Sequence, residues 1–72
     1  MQKEFIIEDD EELDKFTCDV NGVIRCSPFI RDLLDDIAKL YDYKYKERYS
    51  ESHYKIMLEE DLGISIKLNF DY

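Results

Sequence analysis

Two hydrophobic periods alternate along this chain, and the switches between them place its elements. In residues 3–8, Lys-Glu-Phe-Ile-Ile-Glu, Phe5 and Ile7 face one way and Ile6 the other, which predicts a short strand. Residues 15–26 read as a hairpin, because Asn21-Gly22 is the strongest short-range signal for a two-residue turn. That turn sets Val20 opposite Val23, Cys18 opposite Arg25 and Thr17 opposite Cys26. Then the period lengthens. Phe29, Ile30, Leu33, Leu34, Ile37, Leu40 and Tyr41 recur every three or four residues, the stripe of an amphipathic helix. Ser27-Pro28 predicts its start, with Ser at the N-cap and Pro at the first helical position.

The end of that helix is less sharply marked. Tyr41, Tyr45 and Tyr49 keep helical spacing, which favours a helix to about residue 48; Tyr41, Tyr43 and Tyr45 also alternate with charges, as a strand would. Ser50 to Ser52 offer a cap for a second helix with Tyr54, Met57, Leu58 and Leu62 on its apolar face and Gly63 just past its end. The rival reading makes Tyr54, Ile56 and Leu58 one face of a strand. Finally Ile64, Ile66, Leu68 and Phe70 alternate with polar residues, a half-buried strand. The expected fold is α+β: a small, mainly antiparallel sheet of three to four strands, in the order β-ββ-α-α-β, with a long and a short helix on one face.

Length and composition narrow this further. With 72 residues there is room for one domain (residues 1–72) with a small core. Apolar residues make up 44% and ten aromatics are present, enough to argue against disorder in a chain that is 39% charged. No apolar run nears the roughly 18 residues of a membrane span. Met1-Gln2-Lys3-Glu4 does not read as a secretory signal, so a cytoplasmic location is expected. In the hairpin register Cys18 and Cys26 point to opposite faces, which disfavours a disulfide between them and agrees with a reducing compartment.

Nucleophilic catalysis requires a nucleophile, a base and an orienting group. His53 is the only histidine, and nothing in the sequence brings it to a cysteine. Acid–base carboxylates need environments that separate their pKa values, whereas these lie in runs or on polar helix faces. Counted from Asp9, a calcium loop would put Asp14 where glycine is required and Val20 where glutamate is required. The only glycines, Gly22 and Gly63, serve a turn and a cap, so no phosphate loop exists. Lys44, Lys46 and Arg48 interleave with Tyr43, Tyr45 and Tyr49, a stacking pattern that a negative surrounding field disfavours. No enzyme, cofactor or metal is expected.

What stands out is negative charge: 18 acidic against 10 basic residues, a formal net charge of −8. It gathers in three clusters: Glu8, Asp9, Asp10, Glu11, Glu12 and Asp14; then Asp32, Asp35 and Asp36; then Glu59, Glu60 and Asp61. The second is expected on the outer face of the main helix, where rigid spacing makes it the favoured contact. Such a surface repels nucleic acid and anionic membranes and attracts basic proteins. A duplex presents one charge per roughly 1.7 Å of axis, and ordered carboxylates can imitate that field. Tyr43 and Tyr45 join the expected contact set because tyrosine is enriched at interface hot spots.

In size and charge the chain resembles small phage-encoded anti-defence proteins of the anti-CRISPR and anti-restriction type, including DNA mimics. The resemblance is one of type, carried by no motif and by no individual residue. It implies a non-catalytic inhibitor or regulator in the host cytosol, docked on a basic nucleic-acid-binding protein or nuclease. An immunity protein or antitoxin would show the same electrostatics. The other alternative is a structural homo-oligomer subunit, joined through the strand at 64–70 or the Tyr41–Tyr49 stripe.

Overall fold

The computed structural model describes residues 3–44 and 50–70. Six elements follow one another: β1 (Glu4–Asp10), β2 (Lys15–Val20), β3 (Val23–Ser27), α1 (Ile30–Leu40), α2 (Glu51–Leu62) and β4 (Ser65–Asn69). The four strands form one sheet in the order β3-β2-β1-β4. The expected α+β architecture is therefore present, as a mixed sheet: β1 pairs antiparallel with β2 but parallel with β4. A parallel partner becomes available to β1 because the two helices carry the chain back across the sheet before β4 begins.

The β2–β3 hairpin has the register its turn dictates, Val20 opposite Val23, Cys18 opposite Arg25 and Thr17 opposite Cys26. Asn21 (φ 55°) and Gly22 (φ 87°) both take positive φ, as a type I′ turn demands. The Asp19 carboxylate accepts the Gly22 N–H at 2.7 Å and braces that turn. Cys18 is buried, Cys26 is exposed, and both are free thiols.

Both helices lie on one face of the sheet. α1 packs on β2 and β3, while α2 packs on α1 and β4. Phe5, Ile7, Cys18, Val20 and Ile66 from the strands meet Ile30, Leu33, Leu34, Ile37, Tyr54 and Leu58 from the helices in a single core. Burying a Leu or Ile side chain contributes about 1.5–3 kcal/mol, so Leu33, Leu34 and Ile37, all fully buried, anchor α1.

Three boundaries differ from expectation. The predicted first strand ends at Glu8; β1 runs on through Asp9 and Asp10, and only residues 11–14 form the connection. α1 starts at Ile30, not Pro28, because Ser27 is the last residue of β3, paired with Phe16. The Ser27 hydroxyl still serves the helix entry: it accepts the Phe29 N–H at 3.1 Å and donates to Asp32 Oδ2 at 2.6 Å. An N–H of the first turn, that of Arg31, is met from a distance by Glu51 Oε1 at 3.2 Å.

The third difference is the end of α1, at Leu40 instead of near residue 48. The Tyr43 N–H bonds to Ala38 O at 2.8 Å and the Asp42 N–H to Lys39 O at 3.1 Å, the two bonds of a Schellman cap. Asp42 holds the left-handed position (φ 53°) that glycine usually fills. The rest of that expectation, including Tyr45 and Tyr49, lies outside the described residues. The reading of residues 51–62 as helix holds: Ser50 Oγ accepts the His53 N–H at 3.3 Å, and Gly63 (φ 64°) closes the other end.

Candidate protein-interaction surface

Because both helices cover the same side, the other side of the sheet is bare among the described residues. Strand alternation fixes what it displays: Glu4, Ile6, Glu8 and Asp10 from β1, Lys15, Thr17 and Asp19 from β2, Ile24 and Cys26 from β3, and Lys67 from β4. Two rows cross the strands. Lys67 lies beside Ile6, Ile7 opposite Cys18 sets Ile6 beside Asp19, and Asp19 lies opposite Ile24. The second row is Asn69, Glu8, Thr17 and Cys26. A shallow concavity of ≈ 350 Å³ opens here, lined by Glu4, Ile6, Glu8, Thr17, Asp19 and Ile24 among others.

The first acidic cluster stands at one end of this face. Glu8 and Asp9 are exposed on β1. Asp10 Oδ1 accepts the N–H groups of Glu12 (3.1 Å) and Leu13 (3.3 Å), which shapes the connection, and Asp14 completes it in the left-handed conformation (φ 54°). Glu11, Glu12, Asp14 and an unusually exposed Leu13 (55%) project from it.

The second cluster is not the free outer face that the sequence suggests. Asp32 is exposed but bound to Ser27; Asp35 and Asp36 are half-buried in a groove between β3 and α1 that also includes Pro28 and Lys39. Asp35 Oδ1 accepts the hydroxyl of Tyr54, a fully buried ring, at 2.7 Å. Asp32 and Asp35 fasten α1 to its neighbours.

In the third cluster Glu59 has a similar task. Its Oε1 meets Lys55 Nζ at 2.7 Å, and its Oε2 accepts the Ile66 N–H at 3.1 Å, so it ties α2 to the outer edge of β4. Burial pushes the Glu59 carboxyl up, but Lys55 and the Ile66 N–H outweigh it and hold the group below the usual glutamate range. Glu60 is exposed, and Asp61 Oδ2 accepts the Tyr43 hydroxyl at 2.7 Å.

The tyrosines divide likewise. Tyr54 is core, and Tyr43 is half-buried against it. Tyr41 is exposed at its rim, with its ring edge-on to Phe5 at 6.3 Å between centroids. His53 is exposed in the first turn of α2. Burial pushes the Cys18 thiol up to about 11, with Asp19 and Asp36 adding to the effect. Among the described residues, no group of three or more His, Cys, Asp or Glu side chains is arranged to hold a metal ion.

What sequence reasoning missed is the bare sheet face. Its signal was present in the alternation of Glu4, Ile6 and Glu8, but only the placement of both helices on one side shows that no described element covers it. Comparison with family models, curated proteins and solved structures finds no match to this chain.

Proposed function

We propose that this protein is a non-catalytic inhibitor or regulator that docks an acidic surface on a basic, nucleic-acid-binding surface of another protein. The observation that carries this reading is Glu8-Asp9-Asp10 held in the extended strand β1 and continued by Glu11, Glu12 and Asp14. A strand advances about 3.3–3.4 Å per residue. One strand of a DNA duplex advances its charge by about 3.4 Å per phosphate. Strand alternation sets Glu8 and Asp10 on one face about 6.7 Å apart, close to two phosphate steps, with Asp9 on the opposite face. No cation interrupts residues 8–14, and the net charge of −8 extends the attraction beyond contact range.

The reading places the primary contact on the β1–β2 end, because Asp32, Asp35 and Glu59 already serve internal partners. Its test is displacement. A labelled duplex bound to each of a panel of purified basic DNA-binding proteins is titrated with this protein at several salt concentrations. Competitive release that weakens steeply with salt is expected from at least one member. Failure to release the duplex at low salt, or release indifferent to salt, refutes the proposal.

A further inference from the structure

The charge mimicry proposed above says which sign of partner is attracted but not what shape it has; the bare sheet face supplies the shape. We infer that this face receives a basic amphipathic helix of the partner protein, lying across the strands along the row Ile6–Asp19–Ile24. The inference rests on the acidic-binder reading and sharpens it.

Adjacent strands are about 4.7–4.9 Å apart, so Ile6 and Ile24 are separated by roughly 10 Å with Asp19 midway. On a helix, positions i and i+7 are about 10.5 Å apart along the axis, and i+3 or i+4 falls halfway between them. A helix with aliphatic residues at i and i+7 and Lys or Arg at i+3 or i+4 matches that row in both spacing and chemistry. Ile6 (40% exposed) and Ile24 (67% exposed) are the two apolar anchors. Asp19 is held in place between them by its bond to the Gly22 N–H, so little side-chain freedom is lost on pairing. Glu8, one row away on the same face, meets a second cation on the flank of that helix.

Charge selects this occupant over a second copy of the chain. The face carries Glu4, Glu8, Asp10 and Asp19 against Lys15 and Lys67, Lys3 borders its concavity, and Lys67 is only loosely paired to Glu4 at 3.9 Å. A second copy would bring the same excess of carboxylates to the contact, whereas a basic helix neutralises it.

The test uses two synthetic helical peptides of equal length and charge, with Lys and Arg at i+3 and i+4. One carries Leu at i and i+7; the other carries Ser there. Fluorescence anisotropy at low salt is expected to show the Leu peptide binding at least tenfold more tightly. That preference is expected to vanish in Ile6→Ser/Ile24→Ser. It is also expected to vanish in Thr17→Arg, which leaves both isoleucines in place but sets a cation at the centre of the face. Far-ultraviolet circular dichroism checks that each variant is folded. Backbone amide shifts on binding are expected to centre on residues 6, 19 and 24.

Equal affinity for the two peptides, a preference unchanged in both variants, or shifts centred on the helices would overturn the inference. So would sedimentation as a dimer broken by Ile24→Ser, which would give the face to a second copy. The Glu11→Lys/Glu12→Lys variant separates the two proposals. If it weakens both peptides alike while no Leu preference exists, the acidic reading stands and the helix fails. If neither peptide binds the unaltered protein, both fall.

Discussion

The hydrogen bond from Tyr54 to Asp35 turns a residue expected to greet a partner into one that holds the fold, and the two roles are separable by measurement. Tyr54 is 1% exposed, and its hydroxyl donates to the Asp35 carboxylate at 2.7 Å. Tyr54→Phe keeps the ring in the core and removes that donor. A hydrogen bond to a charged group contributes about 1.5–3 kcal/mol. Asp35 is half-buried, so water re-enters its shell and the loss falls at the low end, about 1.5 kcal/mol. For a domain of this size that lowers Tm by about 6–12 °C. Asp35→Ala takes the acceptor away from the hydroxyl and is expected to cost at least as much.

The decisive assay is a double-mutant cycle by urea unfolding, followed by circular dichroism. A coupling of about 1 kcal/mol or more between Tyr54→Phe and Asp35→Ala is expected. If the two changes add within about 0.3 kcal/mol, the bond is not a stabilising link. If both single variants unfold like the parent while partner binding is lost, Asp35 belongs to an interface and the structural reasoning is wrong.

Three further outcomes are expected. With Glu59 titrating below its usual range, its contribution is present above about pH 4.5 and is lost as pH falls through the lowered value, so acid unfolding of Glu59→Gln should be less steep than that of the parent. Gly63→Ala meets no atom within 4 Å, so only the strained φ of 64° opposes it, and urea unfolding should register a loss of about 1 kcal/mol. Iodoacetamide at pH 8 should modify one thiol per folded molecule, Cys26 by mass spectrometry, and both in denaturant; rapid labelling of Cys18 in the folded protein would contradict its burial and raised pKa.

How much of this was legible in the sequence depended on how local each signal was. Asn21-Gly22 fixed the hairpin register because only a few turn types suit two residues with positive φ. Ser50 and Gly63 framed α2 for the same reason, since each cap acts within a few residues of the helix it ends. The end of α1 was misread because Tyr41, Tyr45 and Tyr49 keep helical spacing, while its stop signal, Asp42 in a left-handed cap, is a residue that only occasionally plays that part. The length of β1 was misread because pairing draws Asp9 and Asp10 into the ladder beside Phe16 and Lys15 and overrides their weak strand preference. The internal tasks of Asp32, Asp35 and Glu59 depend on which hydroxyl or amide the fold brings within 3.1 Å, and no local pattern encodes that.

The position of β1 has a consequence for the chain during its synthesis. β1 lies between β2 and β4, and its pairing with β4 joins residues about 60 positions apart. The hairpin partner arrives early, but some 45 residues separate Val20 from Ser65. At about 5–20 residues per second, a growing chain would leave one edge of β1 without its neighbour for roughly 2–9 s. An unpaired strand bearing Phe5, Ile6 and Ile7 is a template for pairing with other nascent chains. Glu4, Glu8, Asp9 and Asp10 flank that apolar triplet on both sides, and like charges keep two such strands from lying edge to edge. The carboxylates proposed to face a partner in the finished protein therefore act earlier as gatekeepers, protecting the strand that carries them until β4 arrives.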